Sequence, residues 1–173
     1  MKVVYSVLAL LFIGLIGQGI YQQITKRSIK SNRLECHKNI TMFENLKNEQ
    51  LLKELKSELA DKNYQLVSSL EKATYMKSQL FNHISLKEVD SFIYRYLGEP
   101  TGNKVTIEYR LYENDKLNPG KKTEASKKFA GYINFQFILN KTLVYQSQID
   151  FMQLDGSDIE QRVQCAIESI QDY

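Results

Sequence analysis

Tyr132-Ile133-Asn134-Phe135-Gln136-Phe137-Ile138-Leu139-Asn140-Lys141-Thr142-Leu143-Val144-Tyr145-Gln146-Ser147-Gln148-Ile149-Asp150-Phe151 decides the fold class. Ile133, Phe135, Phe137 and Leu139 alternate with Tyr132, Asn134 and Gln136, which is the period of a half-buried strand. Asn140-Lys141 can turn the chain, and Leu143, Tyr145, Ile149 and Phe151 resume the alternation on the return. Strands joined so tightly are antiparallel. Upstream, Val105, Ile107, Tyr109 and Leu111 alternate with Thr106, Glu108, Arg110 and Tyr112. The expectation is a small three-stranded antiparallel sheet with one apolar face.

Helical signals flank this sheet. Ser85 and Glu88 form a capping box, and Leu86, Val89, Phe92, Ile93, Tyr96 and Leu97 mark one helical face that Gly98 can end. Ser157 and Glu160 form another box. After it Ile159, Val163, Ala166, Ile167 and Ile170 make one apolar stripe. Thr41 and Glu44 are a third such pair. Leu52, Leu59, Leu66, Ala73 and Leu80 then recur at seven-residue steps, but the intermediate series Leu55, Lys62, Ser69, Met76 and His83 is mostly polar. Residues 41–84 are therefore expected to form a helical neck, either a degenerate coiled coil or two helices broken near Asp61-Lys62-Asn63. The fold class expected is α+β, with the domain proper at 85–173.

Residues 1–24 have a different character. No charge falls between Lys2 and Lys26, and Val3–Tyr21 reaches roughly the 20 apolar residues of a membrane-spanning helix. A transmembrane anchor or a cleaved export signal is expected there. A basic juxtamembrane segment follows at 25–40. Its Lys26, Arg27, Lys30, Arg33 and Lys38 outnumber Glu35, which favours a cytoplasmic flank. The short basic start before a hydrophobic run favours export of the rest. The expected location is a bacterial inner membrane with the carboxyl-terminal domain in the periplasm.

Cys36 and Cys165 are the two cysteines. An even count in an exported domain permits one disulfide. Cys165 lies roughly 140° from the centre of the last helix's apolar stripe, so it is expected off that helix's core face, where it can bridge to Cys36 if the early segment crosses there, bridge to a partner, or stay a partly exposed free thiol. Two cysteines so far apart make no zinc site.

The net charge of +3 is mild but unevenly spread. Lys116, Lys121, Lys122, Lys127 and Lys128 crowd one loop. Asp150, Asp155, Asp158, Glu160, Glu168 and Asp172 crowd the end of the chain. Opposed patches of this kind fit protein docking or self-association, whereas nucleic-acid binding would need a denser basic stripe. No Gly-x-Ser-x-Gly, Walker A, Gly-x-Gly-x-x-Gly or His-Glu-x-x-His occurs, and His37 and His83 lack partners at ligand spacing. No enzyme activity, cofactor or metal is expected.

The layout of anchor, helical neck and compact α+β domain resembles two kinds of small single-pass bacterial envelope protein. One is the accessory partner of a membrane-bound transcriptional activator. The other is the inner-membrane alignment protein of pilus and secretion machines. The resemblance is one of architecture and carries no site residue. It implies a non-enzymatic accessory protein that binds or stabilises a membrane partner, another membrane protein or a second copy. Two other expectations stand beside it: an exported sensor with a small-ligand pocket over the apolar sheet face, and a cytoplasm-facing membrane-surface protein.

Overall fold

The computed structural model describes residues 30–120 and 123–173. Its centre is a five-stranded mixed sheet. The strands are β1 (Met42–Leu46), β2 (Tyr64–Glu71), β3 (Val105–Glu113), β4 (Gly131–Leu139) and β5 (Thr142–Phe151). Their order across the sheet is β1-β5-β4-β3-β2. The β4–β5 hairpin turns at Asn140 and Lys141, both with positive φ of 50° and 64°. β3, β4, β5 and β1 pair antiparallel, while β2 runs parallel to β3.

Three helices, α1 (Glu49–Ala60), α2 (Leu86–Leu97) and α3 (Ile159–Asp172), cover one face of the sheet. Asn48 caps α1 by accepting from the Leu51 N–H, and Leu52, Leu55 and Leu59 form its buried stripe. α2 begins with the full Ser85–Glu88 capping box and ends at Gly98, whose φ is 81°. α3 starts at Asp158 rather than Ser157. The Asp158 carboxylate accepts from the N–H groups of Met152 and Gln153 and pairs with Arg162 at 2.8 Å. The helices meet Ile107, Tyr109, Leu111, Ile133, Phe135, Phe137 and Ile149, all essentially buried. The alternate residues, among them Glu108, Arg110, Asn134 and Gln136, face away from the helices and stay half-buried or exposed.

Three expectations are corrected, and a fourth falls outside the described residues. The sheet has five strands and is mixed, not three and antiparallel. Residues 41–84 are no neck or coiled coil. They contribute both edge strands, with α1 between them. Residues 30–40 are not a free juxtamembrane segment but pack onto the domain, with Ile40 and His37 buried. Finally, among the described residues no helix is long and apolar enough to cross a membrane, and the anchor or signal read at 1–24 lies outside them. The resemblance to the alignment proteins loses its basis with the neck.

Candidate functional site: a sealed clasp and an open edge

Cys36 and Cys165 are joined by a disulfide, with an S–S distance of 2.03 Å and a sequence separation of 129. α3 makes this possible by burying two faces. Ile159, Val163, Ala166, Ile167 and Ile170 meet the sheet core. Arg162, Cys165 and Ser169 form a second buried stripe, and the segment around Cys36 lies over its Cys165–Ser169 part.

A buried polar chain runs beside the disulfide. The Ser31 hydroxyl donates to Glu44 Oε1. Ser31 Oγ lies 2.9 Å from His37 Nδ1, and His37 Nε2 lies 2.7 Å from Ser169 Oγ. The Leu34 N–H donates to the same Nδ1 at 3.3 Å, and the Ser169 hydroxyl lies 3.5 Å from Met42 Sδ, so the direction of the bonds along this chain follows the imidazole's tautomer. Arg33 grips the same carboxylate with Nε at 2.9 Å and a terminal nitrogen at 3.0 Å. It also donates to the Ser169 carbonyl and to Asp172, at 2.9 and 2.8 Å. The Tyr145 hydroxyl donates to Glu44 Oε2 at 2.6 Å. The Tyr173 ring stacks under the Arg33 guanidinium at 3.9 Å. The first described residues are thereby tied to β1, β5 and the last turn of α3.

Burial lowers the His37 pKa, the nearby Glu44 charge opposing that only in part, so the imidazole is held neutral. Burial alone would raise Glu44. The hydrogen bonds from Arg33, Ser31 and Tyr145 outweigh it and leave the carboxyl below its ordinary value. The Arg33 pKa rises, chiefly through its hydrogen bond to Glu44. Desolvation first, then the bond to Glu44, push the Tyr145 hydroxyl up.

This serine–imidazole–carboxylate grouping is sealed. His37 and Ser169 are both 0% exposed, so no substrate reaches either. Cys36, His37 and Cys165 place possible ligand atoms within 4.8 Å of one another. Both sulfurs are committed to the disulfide and both ring nitrogens to hydroxyls, so this oxidised arrangement offers a metal no free thiolate or imidazole nitrogen. The chemistry of the clasp is that of fastening.

The far side of the sheet carries no helix among the described residues. β1, one edge, is short and already covered: Lys30 bridges to Phe43, and the Ser31 N–H donates to the Met42 carbonyl at 2.8 Å. β2, the other edge, is longer and has no further strand beside it among the described residues. The Val105 N–H donates to the Asn63 carbonyl. In a parallel ladder that turns the odd-numbered residues of β2 toward β3 and the backbone groups of Leu66, Ser68 and Leu70 outward. These outward groups have no backbone partner among the described residues. Val67 and Leu70 are 46% and 40% exposed. Beside this edge, on the helix-free face, a shallow concavity of about 390 Å³ is lined by Val67, Ser69, Glu108, Arg110, Tyr112 and Asn134, among others. Tyr112 stacks on Tyr132 with ring centroids 4.5 Å apart.

Comparison with family models, with curated proteins and with solved structures finds no match. The site is therefore defined by its own geometry. The sequence pointed to Cys36 and Cys165 and missed Arg33, His37, Glu44, Tyr145, Ser169 and the β2 edge. One signal was available for the clasp. Arg162, Cys165 and Ser169 recur at helical spacing, and a second stripe of that period marks a second covered face.

Proposed function

We propose that this is a non-enzymatic accessory protein whose α+β domain binds a partner protein by accepting a strand at the β2 edge. The observation that carries this reading is the contrast between the two edges. Sheet edges template association unless they are blocked by charge, proline, a bulge or a cover. β1 is covered by the chain's own early segment. β2 has no proline and only Glu71 as a charged residue, and it exposes Val67 and Leu70. Strand addition would take affinity from the outward backbone groups and specificity from alternate side chains. The concavity would receive side chains on the helix-free face. The apolar face, where a ligand pocket was expected, is filled by the three helices, which weakens the sensor reading. The disulfide fits work in an oxidising compartment, since cytosolic thiols stay reduced.

Hydrogen exchange on the full chain, with and without its crosslinked partner, tests the reading. The Leu66, Ser68 and Leu70 amides should exchange fast alone and slowly in the complex. A complex that leaves these amides fast, or that Leu70→Lys does not weaken, overturns it.

A further inference from the structure

We propose that the strand accepted at the β2 edge is β2 of a second copy of this chain, paired antiparallel about a two-fold axis through Ser68. This rests on the docking reading above and names its partner. An antiparallel two-fold pair has its axis perpendicular to the sheet, so both helix layers lie on the same side. Residues of like parity then face one another.

Two registers near the strand centre meet this condition and use the outward groups of Leu66, Ser68 and Leu70. A register centred on Val67 leaves Leu66 opposite Ser68 and Leu70 opposite Tyr64, whose side chain is already fully buried in its own copy. A register centred on Ser68 matches the half-exposed leucines instead. It sets Leu66 opposite Leu70 of the second copy, and the symmetry repeats that pair. It sets Gln65 opposite Glu71, amide to carboxylate, and Val67 opposite Ser69. No like charges fall opposite each other along the strand.

The leucines are the strongest reason to choose a second copy. Leu66 and Leu70 point to the helix side of the sheet, in register with Ile107 and Leu111 of β3. Leu66 is only half-buried and Leu70 is 40% exposed. Each is the complement the other lacks, so the edge supplies its own apolar cover. Three opposed pairs would exchange about six main-chain hydrogen bonds. The two sheets would merge into one ten-stranded sheet, with an Arg110–Tyr112 concavity on either side of the seam.

The test uses the full chain under mild oxidation. Across the axis the two Ser68 Cα atoms would lie about 5.5 Å apart, within disulfide reach. Ser68→Cys should give a covalent species of twice 20.2 kDa on non-reducing electrophoresis. Gln65→Cys should not, because position 65 faces position 71. A mixture of Gln65→Cys and Glu71→Cys chains should crosslink. Sedimentation of the unaltered chain should show a dimer, and Leu70→Lys, which removes both leucine pairs, should raise its dissociation constant about tenfold or more. Equal crosslinking at positions 65 and 68 overturns the register and the two-fold pairing with it. A monomeric chain whose Ser68→Cys variant links to a different protein overturns self-pairing and leaves edge docking standing. A monomeric chain with no crosslink along β2 overturns both.

Discussion

At Gly131 a methyl group would lie 2.0 Å from the Tyr112 carbonyl oxygen and 2.4 Å from Phe151 Cζ. Backbone on one side and a buried ring on the other leave no direction of escape. Gly131→Ala should destabilise the fold by about 3 kcal/mol, read as a lower urea midpoint with unchanged slope. The clasp residues predict a pH dependence. His37 has a folded pKa below its ordinary 6.5, so the unfolded chain binds more protons there. Its contribution is complete above pH 6.5 and is lost as pH falls through the lowered folded value. Glu44 and Glu113 are both held below the ordinary 4.5. For Glu113, burial is outweighed by the N–H groups of Leu80, Gln79 and Ala73. Their contributions are present above 4.5 and disappear further into acid. Melting temperature should therefore fall in two steps on acidification. His37→Asn should remove the upper step and Glu44→Gln part of the lower one. A melting temperature flat from neutral pH to pH 5 would contradict the buried neutral imidazole.

Elements whose period was unambiguous were legible in the sequence. Val105–Leu111, Ile133–Leu139 and Leu143–Phe151 are the strands their alternation announced, the stripe of α3 is buried as read, and in α2 Val89, Ile93 and Leu97 are buried while Leu86, Phe92 and Tyr96 are half-buried. The Ser85–Glu88 box is present in full. Ser85→Ala should cost about 1 kcal/mol in denaturant unfolding, with the loss confined to α2 stability. The misreadings have physical causes. Leu66 and Leu70 are four apart, a spacing that satisfies both a helix and a strand, so β2 was hidden inside a false heptad series. Asp61-Lys62-Asn63 does end a helix, and Lys62 takes a φ of 59° there. The next element is a strand because β3 offers a parallel partner, which no local pattern shows. Thr41 and Glu44 mimic a capping box, yet Glu44 lies in a strand. It is there to receive Arg33, Ser31 and Tyr145 from distant positions. Networks assembled from three parts of a chain leave little trace in any one of them.

For the whole molecule, the disulfide and the clasp close the early segment onto α3 and so complete the hydrophobic unit. A bridge over 129 residues removes much of the freedom of the unfolded chain, worth about 4–5 kcal/mol in the chain-entropy description. Cys36→Ser with Cys165→Ser should lower the unfolding free energy by about that amount, and a reductant should reproduce the effect in the unaltered protein. Arg33→Ala should lower it further, since it leaves Glu44 buried without its cation.

The bond also decides how the molecule would respond to being stretched. A pull applied between residue 30 and Tyr173 first loads the bonds of Lys30, Ser31 and Arg33 to β1, and once these part it travels from Cys36 to Cys165 through the two sulfurs. While the bond holds, only the two tails outside the loop can extend, whatever happens to the strands within. Reduction would release the chain between the cysteines, a sequence separation of 129 and about 450 Å of contour. In the oxidised state the domain is a short, nearly inextensible link between whatever holds its two ends.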